Sequence, residues 1–177
     1  MTPRILTRTI VATTALGALA IAPAAVPADA GHAAAAKKIT AAGVGKVKIG
    51  KTFAELRERG LIGRLRPGCP LGGPNTRSAR LKSPLTGSVD LNQATPRRVR
   101  SIAVRGGAKA RGVGIGATIA QIKNAFPKAK VDRNTEEVFN ITLVKIPRNG
   151  GGRIQFAVDV DTGRTTLIGV PFIAFCE

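Results

Sequence analysis

Tryptophan and tyrosine are missing from this chain of 177 residues, and six phenylalanines are its whole aromatic content. Binding hot spots favour Trp, Tyr and Arg, and single strands of nucleic acid are held largely by aromatic stacking. Of these chemistries only the arginine one is left. Histidine is nearly absent too: His32 is the only one, so no Ser–His or Cys–His nucleophile can be assembled without it. With two cysteines besides, a zinc site lacks ligands. No cofactor and no enzymatic activity are expected. Acidic residues number 10 against 28 Lys and Arg, for a formal net charge of +18.

The only long apolar run is at the start. Arg4 and Arg8 precede Ile10 to Ala22, and Ala28-Asp29-Ala30 is a small-x-small cleavage site. This pattern predicts a secretory signal peptide over residues 1–30, since the run is too short to span a bilayer. The expected mature protein is secreted, without a transmembrane segment. Residues 31–42 read as a flexible leader. Export suits the pair Cys69 and Cys176, which are expected to form a disulfide. It would close a loop of roughly 100 residues, for which chain entropy gives about 4–5 kcal/mol.

The charge is unevenly spread. Residues 37–111 hold 18 Lys and Arg against Glu55, Glu58 and Asp90, whereas residues 112–177 hold 8 against 6 acidic residues. A one-sign field over one half of a protein attracts anionic partners.

Against this asymmetry stands a repeat. Gly50-Lys-Thr-Phe-Ala-Glu55-Leu56 recurs 66 residues later as Gly116-Ala-Thr-Ile-Ala-Gln121-Ile122. Val47 and Ile49 precede the first copy, Val113 and Ile115 the second. Thr three residues before Glu or Gln is the signature of a capping box. Thr52 should cap a helix through about Arg59, with Phe53, Leu56 and Leu61 as its apolar stripe and Gly60 as its stop. Thr118 should cap a second through Phe126, with Ile119, Ile122 and Phe126 on one face, stopped by Pro127.

Between the helices, residues 67–74 read as a turn-rich crossing, and strands are expected at Thr76–Lys82, Gly87–Leu91 and Arg98–Arg105. After the second helix come a β-branched run from Val138 to Ile146 and a hairpin turn at Asn149–Gly152. Ile154, Phe156, Val158 and Val160 then alternate with polar or small residues, and Asp161–Gly163 turns the chain. Leu167 to Val170 mirrors Arg100 to Val104. These readings give an α+β fold: two tandem helix–strand–strand–strand units (43–108 and 109–177) forming one antiparallel sheet with helices on one face. Neither unit carries enough apolar surface to stand alone comfortably.

Tandem units in which an extended lead enters Gly-x-Thr-x-x-(Glu/Gln)-aliphatic resemble the secreted beta-lactamase inhibitory proteins, and one such unit is similar to the small lipoprotein of the outer-membrane barrel-assembly machine. The resemblance implies protein binding through an open sheet face. No inhibitory residue is carried over, because the chain lacks Trp and Tyr and its cysteines cannot form one disulfide within each unit.

Two motifs have plainer explanations. Gly45-Lys-Val-Lys-Ile-Gly50-Lys51-Thr52 matches a P-loop, but its second copy replaces Lys51 with Ala117 and keeps the capping residues, so no nucleotide is expected. Asp161-Thr162-Gly163 matches an aspartic-protease triplet, which needs a second carboxylate to share a proton; Asp-x-Gly is also ordinary turn chemistry. Asp159 and Asp161 would share a solvated strand face, and no metal is expected there.

The remaining candidate is a polyanion-binding set: Arg57, Arg59, Arg64, Arg66, Arg77, Arg80, Lys82, Arg97, Arg98, Arg100 and Arg105. Strand alternation places Arg98 and Arg100 on one face, opposite Val99. The expected function is a non-enzymatic binding module for an unknown protein, with an anionic envelope polymer or lipid surface as the alternative partner.

Overall fold

The computed structural model describes residues 36–147 and 153–175. The expected signal peptide, His32, the hairpin turn at 149–152 and Cys176 lie outside the described residues. The fold is α+β and mostly strand, with two sheets rather than the one expected.

The larger sheet is antiparallel and has eight strands. β4 (Ile62–Pro67), β5 (Arg77–Leu81), β6 (Thr86–Leu91) and β7 (Val99–Gly106) follow one another from one edge. From the other edge run β9 (Lys130–Asp132), β10 (Ile141–Ile146), β11 (Ile154–Asp159) and β12 (Thr165–Val170). β7 and β12 meet in the middle, pairing Val104 with Ile168, Ala103 with Gly169 and Ile102 with Val170.

Alternation along the strands creates two faces. On one, Ala79, Val89, Ile102, Val104, Val144, Phe156 and Ile168 join the core. Leu56 of α1 (Phe53–Glu58) and Ile122 of α2 (Ile119–Ala125) belong to the same core. Both helices are therefore too short to stand by propensity and are held by this apolar face. On the opposite face, helix-free in that neither α1 nor α2 covers it, a smaller cluster of Leu143, Ala157 and Ile173 forms over β10–β12, with Ile141, Leu167 and Phe175 against it.

The second sheet corrects the leader. Lys37–Thr40, expected to be loose, is strand β1, pairing antiparallel with β2 (Gly43–Val44) and parallel with β8 (Ala108–Lys109); β3 (Val47–Lys48) completes the order β3-β2-β1-β8. Ile39 is the reason: it is 2% exposed and adds to the core with Val44 and Val47. Each helix precedes four large-sheet strands rather than the three expected, β4 and β9 being the additional ones. β4 carries Gly63, Arg64 and Arg66, and β9 is short and charged, so neither shows the apolar alternation of a buried strand. The run from Val138 starts as a short helix, α3 (Glu136–Phe139), which ends at Asn140 in the left-handed conformation (φ 53°) before β10 begins.

Candidate binding face

The helix starts behave as the repeat predicts. Thr52 Oγ1 accepts the Glu55 N–H at 3.2 Å while Glu55 Oε2 accepts the Thr52 N–H at 2.8 Å. Thr118 and Gln121 repeat the arrangement at 3.3 and 2.9 Å. The Thr52 N–H, the Lys51 ammonium at 3.1 Å and the Thr52 hydroxyl together pull the Glu55 carboxyl down to about 2. Lys51 and Thr52 are thus engaged with Glu55 at the helix start.

The correspondence at 66 residues extends into bonds that the sequence pattern did not suggest. Gly50 N–H donates to Val99 O and Val99 N–H to Lys51 O; Gly116 N–H donates to Thr165 O and Thr165 N–H to Ala117 O. Arg98 Nη1 donates to Gly50 O at 3.0 Å, and Arg164 Nη1 to Gly116 O at 3.2 Å. Arg98 is therefore a lock on the helix lead, matched by its counterpart. The signal was available, since Arg98 and Arg164 stand the same distance after the two glycines.

The eleven candidate residues do not form one patch. Arg77 Nη1 donates to Pro74 O and Thr76 O, and Arg97 Nη1 to Asn75 O and Asn92 O, so both tie the crossing and neighbouring turns. Arg57 and Arg59 lie on and after the last turn of α1, and Lys82 is exposed just beyond β5. The expected pairing of Arg98 with Arg100 by alternation fails. Leu91 pairs with Val99 and Asp90 with Ser101, so Arg100 is the extra residue of a β-bulge. A bulge re-aims its side chain. Arg100 lies 5.2 Å over the ring of Phe172, in the segment that follows β12.

Bulges also present other arginines. Arg105 is the unpaired residue between Gly106 and Val104, and Arg64 lies in the irregular stretch between Ile62 and Leu65. Arg66 pairs with Ser78, and Arg80 with Ser88, whose next neighbours are Asp90 and Ala103. These residues alternate with the core residues Ala79, Val89 and Ile102, so they occupy the helix-free face. Arg105 lines one depression there with Arg80, Thr86 and Ser88. Among the described residues none of the eleven forms an ion pair; the pairs present are Lys51–Glu55, Arg133–Glu136 and Lys145–Asp132.

The same face is covered over β10–β12. Residues 171–175 fold back across it: Ile173 N–H donates to the Gln155 Oε1 at 2.9 Å, and Phe175 stacks on Phe139 with ring centroids 4.5 Å apart. Gly169 permits this approach, since a Cβ there would stand 2.5 Å from Ile173 Cγ1 and 2.6 Å from Phe172 O. Its partner across the sheet centre, Ala103, has a Cβ and is only partly buried.

Asp159 and Asp161 do not share a strand face, because β11 ends at Asp159. Asp159 accepts from the Thr162 hydroxyl at 2.7 Å and the Thr162 N–H at 2.9 Å, and these bonds hold its carboxyl below the ordinary range. Asp161 accepts from Asn140 Nδ2. This is turn chemistry, and no cluster of metal-ligating side chains occurs among the described residues. No helix there is long and apolar enough to cross a membrane.

No protein-family model, curated protein or solved structure matches this chain.

Proposed function

We propose that this protein is a secreted, non-enzymatic binding module of two tandem units, and that it takes an acidic protein partner on the uncovered half of its helix-free sheet face. The observation that carries the reading is the contrast between the halves of that face. Over β10–β12 it is apolar and occupied by the chain's own C-terminal segment. Toward the β4 edge it is polar and open, with Ser78, Ser88 and Ala103 set among Arg66, Arg80 and Arg105, whereas Asp90 and Arg100 line a pocket with Cys69, Gly72, Phe172 and Ala174, and Ser101 beside them is 1% exposed. A rigid sheet carrying unpaired arginines suits a charged protein surface: arginine is enriched at interfaces, and charge complementarity supplies rate and specificity.

Support for the tandem reading comes from the capping boxes, the Arg98 and Arg164 locks and the backbone bonds of Gly50 and Gly116, all repeated at 66 residues. The central pair adds to it: Ala103 and Gly169 are themselves 66 apart and face each other between β7 and β12, as a pseudo-two-fold relation requires. On this reading the fold is of the type seen in the beta-lactamase inhibitory proteins. A bridge from Cys69 to Cys176 fits as well, because Cys69 Sγ lies 3.8 Å from the carbonyl oxygen of Phe175, the residue before Cys176. It would pin the C-terminal segment over the sheet.

The test is capture. Immobilised protein is exposed to envelope and supernatant fractions of the source organism and eluted with a salt gradient. One acidic protein retained beyond moderate salt is the expected result. If only generic anionic material binds and all of it leaves by moderate salt, the reading becomes that of a polyanion binder, as the excess of basic residues in 37–111 would then explain.

A further inference from the structure

The two copies differ at a turn, and the difference leaves a groove. Val44 pairs with Val47 in the first copy, and Ala110 with Val113 in the second, 66 residues on. Gly45 (φ 53°) and Arg111 (φ 47°) thus hold the same left-handed turn position. Glycine is the usual occupant of such backbone, and a large side chain there is uncommon. Arg111 has a visible use. Its guanidinium lies 5.3 Å over the Phe126 ring, and its Nη1 donates to Ala125 O at 3.4 Å.

The residue beneath is matched as well. Phe126 N–H donates to Ile122 O at the end of α2, and Leu61 N–H donates to Leu56 O after α1. Leu56 is the counterpart of Ile122, so Leu61, one residue beyond the 66-residue register, takes the place of Phe126. Phe126 is 4% exposed under its arginine, while Leu61 is half-buried and Gly45 sends nothing over it. What remains is a groove of about 270 Å³, floored by Val47, Leu61, Pro84 and Leu85 and rimmed by Lys37, Lys46 and Lys82. No carboxylate lines it. Its walls are fixed by backbone bonds: Lys82 N–H to Leu61 O and Gly45 N–H to Lys38 O, each 3.0 Å, and Leu85 N–H to Lys82 O, 3.1 Å.

We propose that this groove is a separate binding site for a small organic anion with a flat apolar body, such as an aryl sulfonate, carboxylate or phosphate. The body covers Leu61, Pro84 and Leu85 as the Arg111 guanidinium covers Phe126 in the other copy, and the anionic group meets the three ammonium groups. Apolar contact sets the affinity and the lysines select the charge. The groove shares Ser83, Pro84 and Leu85 with the depression that Arg80 and Arg105 line, and the proposal does not rest on the function proposed for the sheet face.

The test uses the purified protein with 8-anilinonaphthalene-1-sulfonate as the anionic probe and N-phenyl-1-naphthylamine as its neutral analogue, followed by fluorescence and by amide chemical shifts. The sulfonate should bind one to one and shift Gly45, Val47, Leu61 and Leu85, with the neutral analogue at least about tenfold weaker. Gly45→Arg copies the second unit's lid, at a backbone angle that Arg111 already adopts, and should abolish binding. Should that variant fold poorly, the exposed double change Lys37→Gln with Lys46→Gln decides, with a loss of about tenfold expected. Equal binding of the neutral analogue, shifts centred elsewhere, or unchanged affinity in the lysine variant would overturn the proposal.

Discussion

Gly169→Ala should lift the C-terminal segment from the sheet. The added Cβ would stand 2.5 Å from Ile173 Cγ1 and 2.6 Å from Phe172 O. The second contact is with backbone, so a change of rotamer cannot relieve it. If residues 171–175 move away, Ile173, now 7% exposed, returns to water, and its N–H loses Gln155. Burial of an isoleucine stabilises by about 1.5–3 kcal/mol and a hydrogen bond by about 1 kcal/mol, so the loss should be about 3 kcal/mol. For a domain near 150 residues each kcal/mol moves Tm by about 2–4 °C, which gives a fall of roughly 6–12 °C. Calorimetry reads the shift, and hydrogen exchange at the Ile173 amide reads its cause. Ala103→Gly is the control: it removes a methyl group from the equivalent position and should cost only about 0.5–1 kcal/mol for a strand glycine. A Tm for Gly169→Ala within about 1 °C of the parent, with Ile173 still protected, would refute the reasoning.

Other outcomes follow from the repeated bonds. Thr52→Ala and Thr118→Ala should each cost about 1 kcal/mol in urea unfolding, and the double variant about 2 kcal/mol, since the caps share no partner. The two boxes should differ in acid. The folded Glu55 pKa lies below the unfolded one, so its contribution is complete above about pH 4.3 and is lost as pH falls toward about 2. In Glu55→Gln that dependence should vanish from a stability–pH profile, whereas Gln121→Ala should leave its shape unchanged. Arg98→Ala and Arg164→Ala should destabilise to a similar degree by chemical denaturation, as expected of equivalent locks; a much larger effect of one would argue against equivalence. Phe156→Ala, at a core position with no exposure, should cost about 3–5 kcal/mol by the same assay.

Much of this architecture was legible in local chemistry. The capping boxes announced themselves by Thr and Glu or Gln three residues apart, because that spacing has a direct hydrogen-bonding consequence. β7 and β11 were readable because Val99, Ile102 and Val104 in one and Ile154, Phe156 and Val158 in the other meet a continuous core. β4 and β9 were not, since edge strands carry charge and lack the alternation of a buried strand. β1 was hidden by the lysines beside Ile39; a short strand supported by one core residue leaves little pattern. The candidate site was less legible than the fold. Composition identified the basic half but could not separate Arg98, a lock, from Arg100, displaced by a bulge onto Phe172. Bulges arise from the register between paired strands, here β6 and β7, which alternation along one strand does not contain. The cover over β10–β12 was equally invisible, because it depends on Gly169 admitting a segment that only the folded chain brings there.

The central claim is that the uncovered, arginine-bearing half of the helix-free face meets an acidic protein. The most direct measurement is the affinity of the captured partner for three proteins at one salt concentration: the parent, a triple variant with Arg66, Arg80 and Arg105 each changed to Glu, and Arg57→Glu with Arg59→Glu at the end of α1. The account predicts that the triple variant loses affinity on the order of 100-fold while the α1 variant stays within a few-fold of the parent. Equal losses in both variants, or none in the triple one, would contradict it.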